Sequence, residues 1–230
     1  MLTLTPSIPA LRLANASLIT TLSRRNPNTL PVAVFVGGTS GVGQGTASAF
    51  ASHINGNANI ILVGRNELAA KSIISTFPQS STGAKHEFMR CDVTLMREVQ
   101  NTTSEILASY PKINYLVMSP GFITTKGRET SEGIDKKLAI HYYARWKFIA
   151  DLIPGLLRAR EEGEDARVLS VLTAGKGTDV QRYLESGDWG MKKSFSQVAI
   201  ARAGPTYMDL MMEVRLQLSS ELSYKTNNPF

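Results

Sequence analysis

Cysteine is nearly absent: Cys91 is the only one in 230 residues, so no internal disulfide can form. Its spacing from the three histidines suggests no zinc site, and a reducing, cytoplasmic setting is expected. Cys91 lies in an apolar-flanked run before Asp92, where a small buried strand residue is expected rather than a reactive thiol. No apolar stretch approaches the ~20 residues that cross a bilayer, which excludes a membrane-spanning chain. Acidic residues are missing from Met1 to Asn66, where Arg12, Arg24 and Arg25 lie among many Ser and Thr. That is the composition of a mitochondrial transit segment. We prefer the alternative of a helix over 8–22 that covers a sheet edge with Leu11, Ala14, Leu18 and Leu22.

Long basic runs are missing too. The formal charge is +6, yet the cations come singly or in pairs such as Arg24-Arg25, Lys136-Lys137 and Lys192-Lys193. No basic stripe is interleaved with aromatics, so a nucleic-acid partner is not expected, and a phosphate-rich cofactor is the more economical anion.

What is present is an ordinary α/β composition, 43% hydrophobic and 19% charged. Short β-type apolar runs alternate with stretches of helical spacing, the pattern of βαβ units. Strands are expected over 32–36, 59–63, 87–91, 113–118 and 167–172. Helices are expected over 42–53 and 67–77, then from a Thr94 cap to 109. A long one should run from 131 to 157, bent or ended near Pro154, and the last from 208 to 222. This predicts a doubly wound, Rossmann-like parallel sheet of five strands with helices on both faces. The expected divisions are a leader over 1–30, a dinucleotide-binding domain over 31–222 and a polar tail over 223–230.

The run Gly37-Gly38-Thr39-Ser40-Gly41-Val42-Gly43 follows the first strand and opens the first helix. Glycines there let the backbone turn sharply and bring its N–H groups close to a pyrophosphate, while the helix aims its positive end at the same phosphates. A plain structural turn is the competing account, but the strand before and the helix after favour a nucleotide. At the end of the second strand, where NAD-binding folds place an acid, the chain has Gly64-Arg65-Asn66. A guanidinium at Arg65 would pair with a 2′-phosphate, which favours NADP(H) as cofactor; a solvated surface charge is the alternative.

These residues resemble the short-chain dehydrogenase/reductase family, whose T-G-x-x-x-G-x-G motif stands here as Val36-Gly37-Gly38-Thr39-Ser40-Gly41-Val42-Gly43. Asp92-Val93 looks like the family's acid after the third strand, which holds the adenine edge. Ser119-Pro120-Gly121 stands where the family has Asn-Ala-Gly. The runs Ala33 to Gly41 and His141-Tyr142-Tyr143-Ala144-Arg145 are similar to a fungal subgroup found among secondary-metabolite tailoring enzymes. The leader at 12–18 resembles that subgroup as well.

The resemblance implies carbonyl reduction by a Tyr, a Lys four residues later and a Ser. Thr173 occupies the Ser position and keeps the hydroxyl. Downstream of it, Tyr183, Tyr207 and Tyr224 are followed at four places by Gly187, Met211 and Asn228, none a lysine. The one literal Tyr-x-x-x-Lys, Tyr143 to Lys147, lies before the fifth strand and reads as coincidence. His141 falls where the family has an Asn, and Trp189 is either a lid aromatic or a core anchor. The resemblance thus implies an NADP(H)-dependent oxidoreductase acting on a small metabolite, with Thr173 and Tyr183 or Tyr207 replacing the usual constellation. The alternative is a shortened cofactor-binding homologue without turnover that serves as a partner subunit. Pairing of two copies through the long helices is a further implication.

Overall fold

The computed structural model describes residues 29–121, 129–172, 177–193 and 196–227. The helix expected over 8–22, and Thr173, lie outside the described residues. Five strands, β1 (Val32–Val36), β2 (Asn59–Gly64), β3 (His86–Arg90), β4 (Tyr115–Met118) and β5 (Arg167–Ser170), form a parallel sheet in the order β3-β2-β1-β4-β5. This is the doubly wound arrangement, and the order reverses between β1 and β4.

Every residue of β1 is buried. Alternation along the strand sends Val32, Val34 and Val36 into one core, with Ile61, Val63, Leu116 and Met118, and Ala33 and Phe35 into the other, with Ile60 and Leu62. Helices α1 (Gly41–His53) and α2 (Glu67–Ile74) close the second core through Ala47, Ala51, Ala70 and Ile73. Helices α3 (Met96–Ser109) and α5 (Ala144–Glu161) close the first through Val99, Ile106, Phe148 and Leu152. Each such aliphatic side chain contributes about 1.5–3 kcal/mol when removed from water, so a continuous apolar run is decisive for a central strand.

Three expectations need correction. Thr94 does not cap α3: its hydroxyl donates to Asp92 Oδ1 at 2.8 Å, and the cap residue is Leu95. The first-turn amides of Met96 and Arg97 instead donate to the Glu132 carboxylate at 2.6 and 3.0 Å. Negative charge there also suits the helix dipole.

Pro154 neither ends nor visibly divides the long helix. The segment opens as α4 (Lys136–Leu138), passes through a π-helical turn over Ala139–Tyr143 and continues as α5 across Pro154 to Glu161. The irregularity lies at the π-turn, beside the carboxyl ends of the strands. The last helix, α7 (Gln197–Asn227), begins eleven residues before the expected start and includes Gly204-Pro205. A short α6 (Gln181–Glu185) stands before it, and no helix among the described residues is long and apolar enough to cross a membrane.

Candidate functional site

At the carboxyl ends of the strands, where the order reverses, lies a cleft of about 300 Å³. This is the position at which open parallel sheets bind ligands. Its wall collects the segments that follow four strands: Gly37 and Thr39 to Val42 after β1, Gly64 and Arg65 at β2, Cys91 to Thr94 after β3, Ser119 to Gly121 after β4, and Ile140 of the π-turn.

The glycine turn is shaped by contacts that only a missing side chain allows. Gly37 has φ +81° and a Cβ there would stand 2.8 Å from Pro120 N, so the β4 loop packs on the turn's backbone. A Cβ at Gly43 would collide with the Gly37 carbonyl oxygen and with Ser119 Oγ. Gly41 has φ +55° and open space where a Cβ would lie, on the cleft side. Ser40, the residue before α1, makes no side-chain cap bond, and the first turn holds no acid. Its amides therefore remain for an external anion, with the helix dipole behind them.

Two observations test whether these residues suit a dinucleotide. The turn is held tight by the contacts at Gly37 and Gly43 and leaves an open side at Gly41 that a larger side chain would occupy, and Ser119 Oγ is buried with no hydrogen-bond partner among the described residues. A hydroxyl left so costs about 1–3 kcal/mol, which a polar ligand or water would remove. The residues present fit the group.

Of the twelve residues expected to hold cofactor, ten line this cleft: Gly37, Thr39, Ser40, Gly41, Val42, Arg65, Asp92, Val93, Ser119 and Gly121. Gly43 lies beneath the turn. Asn66 instead caps α2, its side-chain oxygen accepting from Ala69 N at 3.0 Å. Asp92 is oriented by Thr94, whose N–H (3.0 Å) and hydroxyl both donate to Oδ1. Gly64, Cys91, Thr94, Pro120 and Ile140 also line the cleft and were not foreseen. Gly64, Cys91, Thr94 and Pro120 each neighbour a foreseen residue, so strand-end adjacency was the signal that could have found them, whereas Ile140 comes from the π-turn, which that signal does not reach. Cys91 is fully buried, and burial pushes its thiol up to about 11, against any nucleophilic role.

Thr173 lies outside the described residues. Tyr183 and Tyr207 are buried away from the cleft lining, in a third core with Leu138, Met191 and Ile200. The Tyr183 hydroxyl accepts from Arg182 Nη2, and the Tyr207 hydroxyl donates to the Trp189 carbonyl at 3.2 Å. Burial pushes Tyr207 up to about 12, away from the range of an acid working at neutral pH. Lys147 forms an ion pair with Asp151 at 3.1 Å and bonds Gln100, which fits the coincidental reading of Tyr143 to Lys147. Trp189 is exposed.

A glycine cradle at the switch point of a parallel sheet defines a nucleotide-binding α/β protein. The family model for short chain dehydrogenase matches residues 31–183, and the chain belongs to that family. It is 34% identical over 208 residues to Oxidoreductase AN1596 of Emericella nidulans, and 31% identical over 208 residues to Oxidoreductase andH of Emericella variicolor. Both matches cover 90% of this chain and 58% of the relative, so the chain spans less than two thirds of their length. Among solved structures, a metagenomic short-chain oxidoreductase in complex with NADP superposes with TM-score 0.59 at 16% identity, covering 83% of this chain and 77% of that one. That likeness is one of fold.

Proposed function

We propose that this chain is an NADP(H)-dependent oxidoreductase acting on a carbonyl or alcohol of a small metabolite, of the kind tailored in fungal secondary metabolism. The observation that carries this is the uncapped, acid-free start of α1 behind a glycine turn, with Arg65 on the same cleft. The kinship supports it: the first two curated relatives are both called oxidoreductases, and two solved neighbours hold NADP or NADPH.

When bound, the nicotinamide supplies or accepts a hydride. The chain's own residues bind and orient. Amides of Thr39 to Val42 receive the diphosphate, and Arg65 pairs with the 2′-phosphate, where a carboxylate would repel it. Asp92 and Val93 meet the adenine edge. Ser119 and Gly121 border the reacting end. Thr173 is the hydroxyl we assign to the substrate carbonyl.

The test is titration of the purified chain with NADPH and NADH, then a panel of ketones and quinones. Tighter binding of NADPH, with its oxidation above the no-enzyme rate, is expected. Failure to bind either nucleotide overturns the proposal. Binding without turnover on any carbonyl would leave a binding subunit.

A further inference from the structure

Among the described residues the largest fully buried side chain is an arginine, and none of its hydrogen-bond partners there is a carboxylate. Arg145, at the start of α5, is 1% exposed. Its Nη1 donates to the Met118 carbonyl at 3.1 Å and to Ser170 Oγ at 2.7 Å, its Nη2 to the Pro120 carbonyl at 2.8 Å, and its Nε to the Ile140 carbonyl at 3.3 Å. A buried charge costs several kcal/mol unless well bonded. Here neutral oxygens satisfy it, and all four lie at one end of the sheet: the end of β4, the loop after it, the end of β5 and the π-turn.

Pro120 and Ile140 line the cleft. Pro120 also packs on the glycine turn, its nitrogen 2.8 Å from where a Gly37 Cβ would be, while Ser119 N donates to Val36 O at 2.9 Å. The guanidinium therefore reaches the glycine turn through one loop. The same helical segment carries His141, whose Cε1 stands 3.4 Å from the Cβ position of Gly121, with Gly204 of α7 packed behind it.

We propose that Arg145 is the positioning residue of the cleft: one planar fork fixes the Ser119-Pro120-Gly121 wall against the glycine turn and seats the His141 ring against Gly121. Only a fork with several fixed donors can hold three backbone segments at once, so lysine is not an equivalent. Burial first, then the neighbouring cations Arg145 and Lys137, pull His141 down to about 4, so the ring beside Gly121 is uncharged at neutral pH. The inference rests on the cleft being the NADPH site, but part of its test needs no nucleotide.

The test combines NADPH affinity with the imidazole titration of His141 followed by NMR, which is tractable because the full chain has three histidines. Arg145→Gln removes the cation and should raise the His141 midpoint by roughly half a pH unit or more. Arg145→Lys keeps the charge and should hold that midpoint low. Both should weaken NADPH by about tenfold or more, since each loses charge-assisted bonds to the wall.

Ser170→Ala is the gentler probe. Ser170 does not line the cleft, so a several-fold loss of NADPH affinity with the fold intact would have to travel through Arg145. An unchanged His141 midpoint in folded Arg145→Gln overturns the proposal. Should that variant fail to fold, unaltered NADPH affinity in Ser170→Ala does so instead. If the unmodified chain binds no NADPH, the cofactor assignment fails, while the histidine titration still judges Arg145.

Discussion

Gly43 lies directly beneath the carbonyl of Gly37, so close that a methyl group on the former would collide with the oxygen of the latter. The Ser119 hydroxyl also stands in the way and could rotate aside, but the Gly37 carbonyl is backbone and cannot yield without moving the turn. Gly43→Ala should cost about 1–3 kcal/mol of stability and abolish measurable NADPH binding, because the turn must open to admit the methyl group. Urea denaturation and NADPH titration check both. Gly41→Val differs: with open space and φ +55°, the loss comes from backbone strain of about 1–2 kcal/mol and from filling the cradle. NADPH affinity unaltered in Gly41→Val would remove the turn from the binding site.

Much of this site was legible because its determinants are local. The glycine run and Arg65 each follow a strand with a continuous apolar run, Asp92 follows the more polar β3, and the sheet order then converges their ends on one cleft. What escaped depends on distant partners. Glu132 caps α3 from 36 positions away, so the nearer Thr94 looked like the cap. The last helix is expected only from 208, but Gly204 admits the close approach of His141, and α7 runs through Gly204-Pro205. Arg145 looks like an ordinary helix charge until its four acceptors are assembled from three other segments and its own π-turn.

The two residues near the start of α3 should separate by phenotype. Glu132→Gln weakens the charged cap and should lower stability by about 1 kcal/mol while leaving NADPH affinity unchanged. Thr94→Val releases Asp92 Oδ1 and should weaken NADPH a few-fold, by loosening the adenine end of the cleft. Thermal melts beside nucleotide titrations decide it. The reverse pattern would return the cap to Thr94.

His141 gives the fold a definite acid sensitivity. Its folded value, lowered to about 4 from 6.5 chiefly by burial, means the unfolded chain binds a proton there that the folded chain refuses. The stabilisation is complete above pH 6.5 and is lost as pH falls towards about 4, amounting to roughly 3 kcal/mol at most. His141→Gln should therefore lose less stability than the unmodified chain between pH 7 and pH 4.5, read from urea midpoints. Glu67 and Glu164, whose values are also lowered, contribute below that window in both proteins.

The opposite end of the sheet offers the control that separates stability from binding. Asn114 is fully buried, accepts from Val32 N at 2.9 Å and donates to Glu164 Oε2 at 2.8 Å and the Asp165 carbonyl at 3.0 Å. It thereby ties β1 and β4 to the approach of β5 at their amino ends, beside the Lys112 ion pairs with Glu162 and Glu164. Asn114→Leu strands the Val32 N–H and the Glu164 carboxylate oxygen without that partner, at a cost of about 2–4 kcal/mol. At roughly 2–4 °C per kcal/mol for a chain of this size, the melting temperature should fall visibly. Because every cleft residue lies at the carboxyl ends, NADPH affinity measured well below the new melting point should be unchanged. A parallel fall in affinity would mean that the sheet transmits disorder along its strands, and the positioning role of Arg145 would then have to be judged against that background.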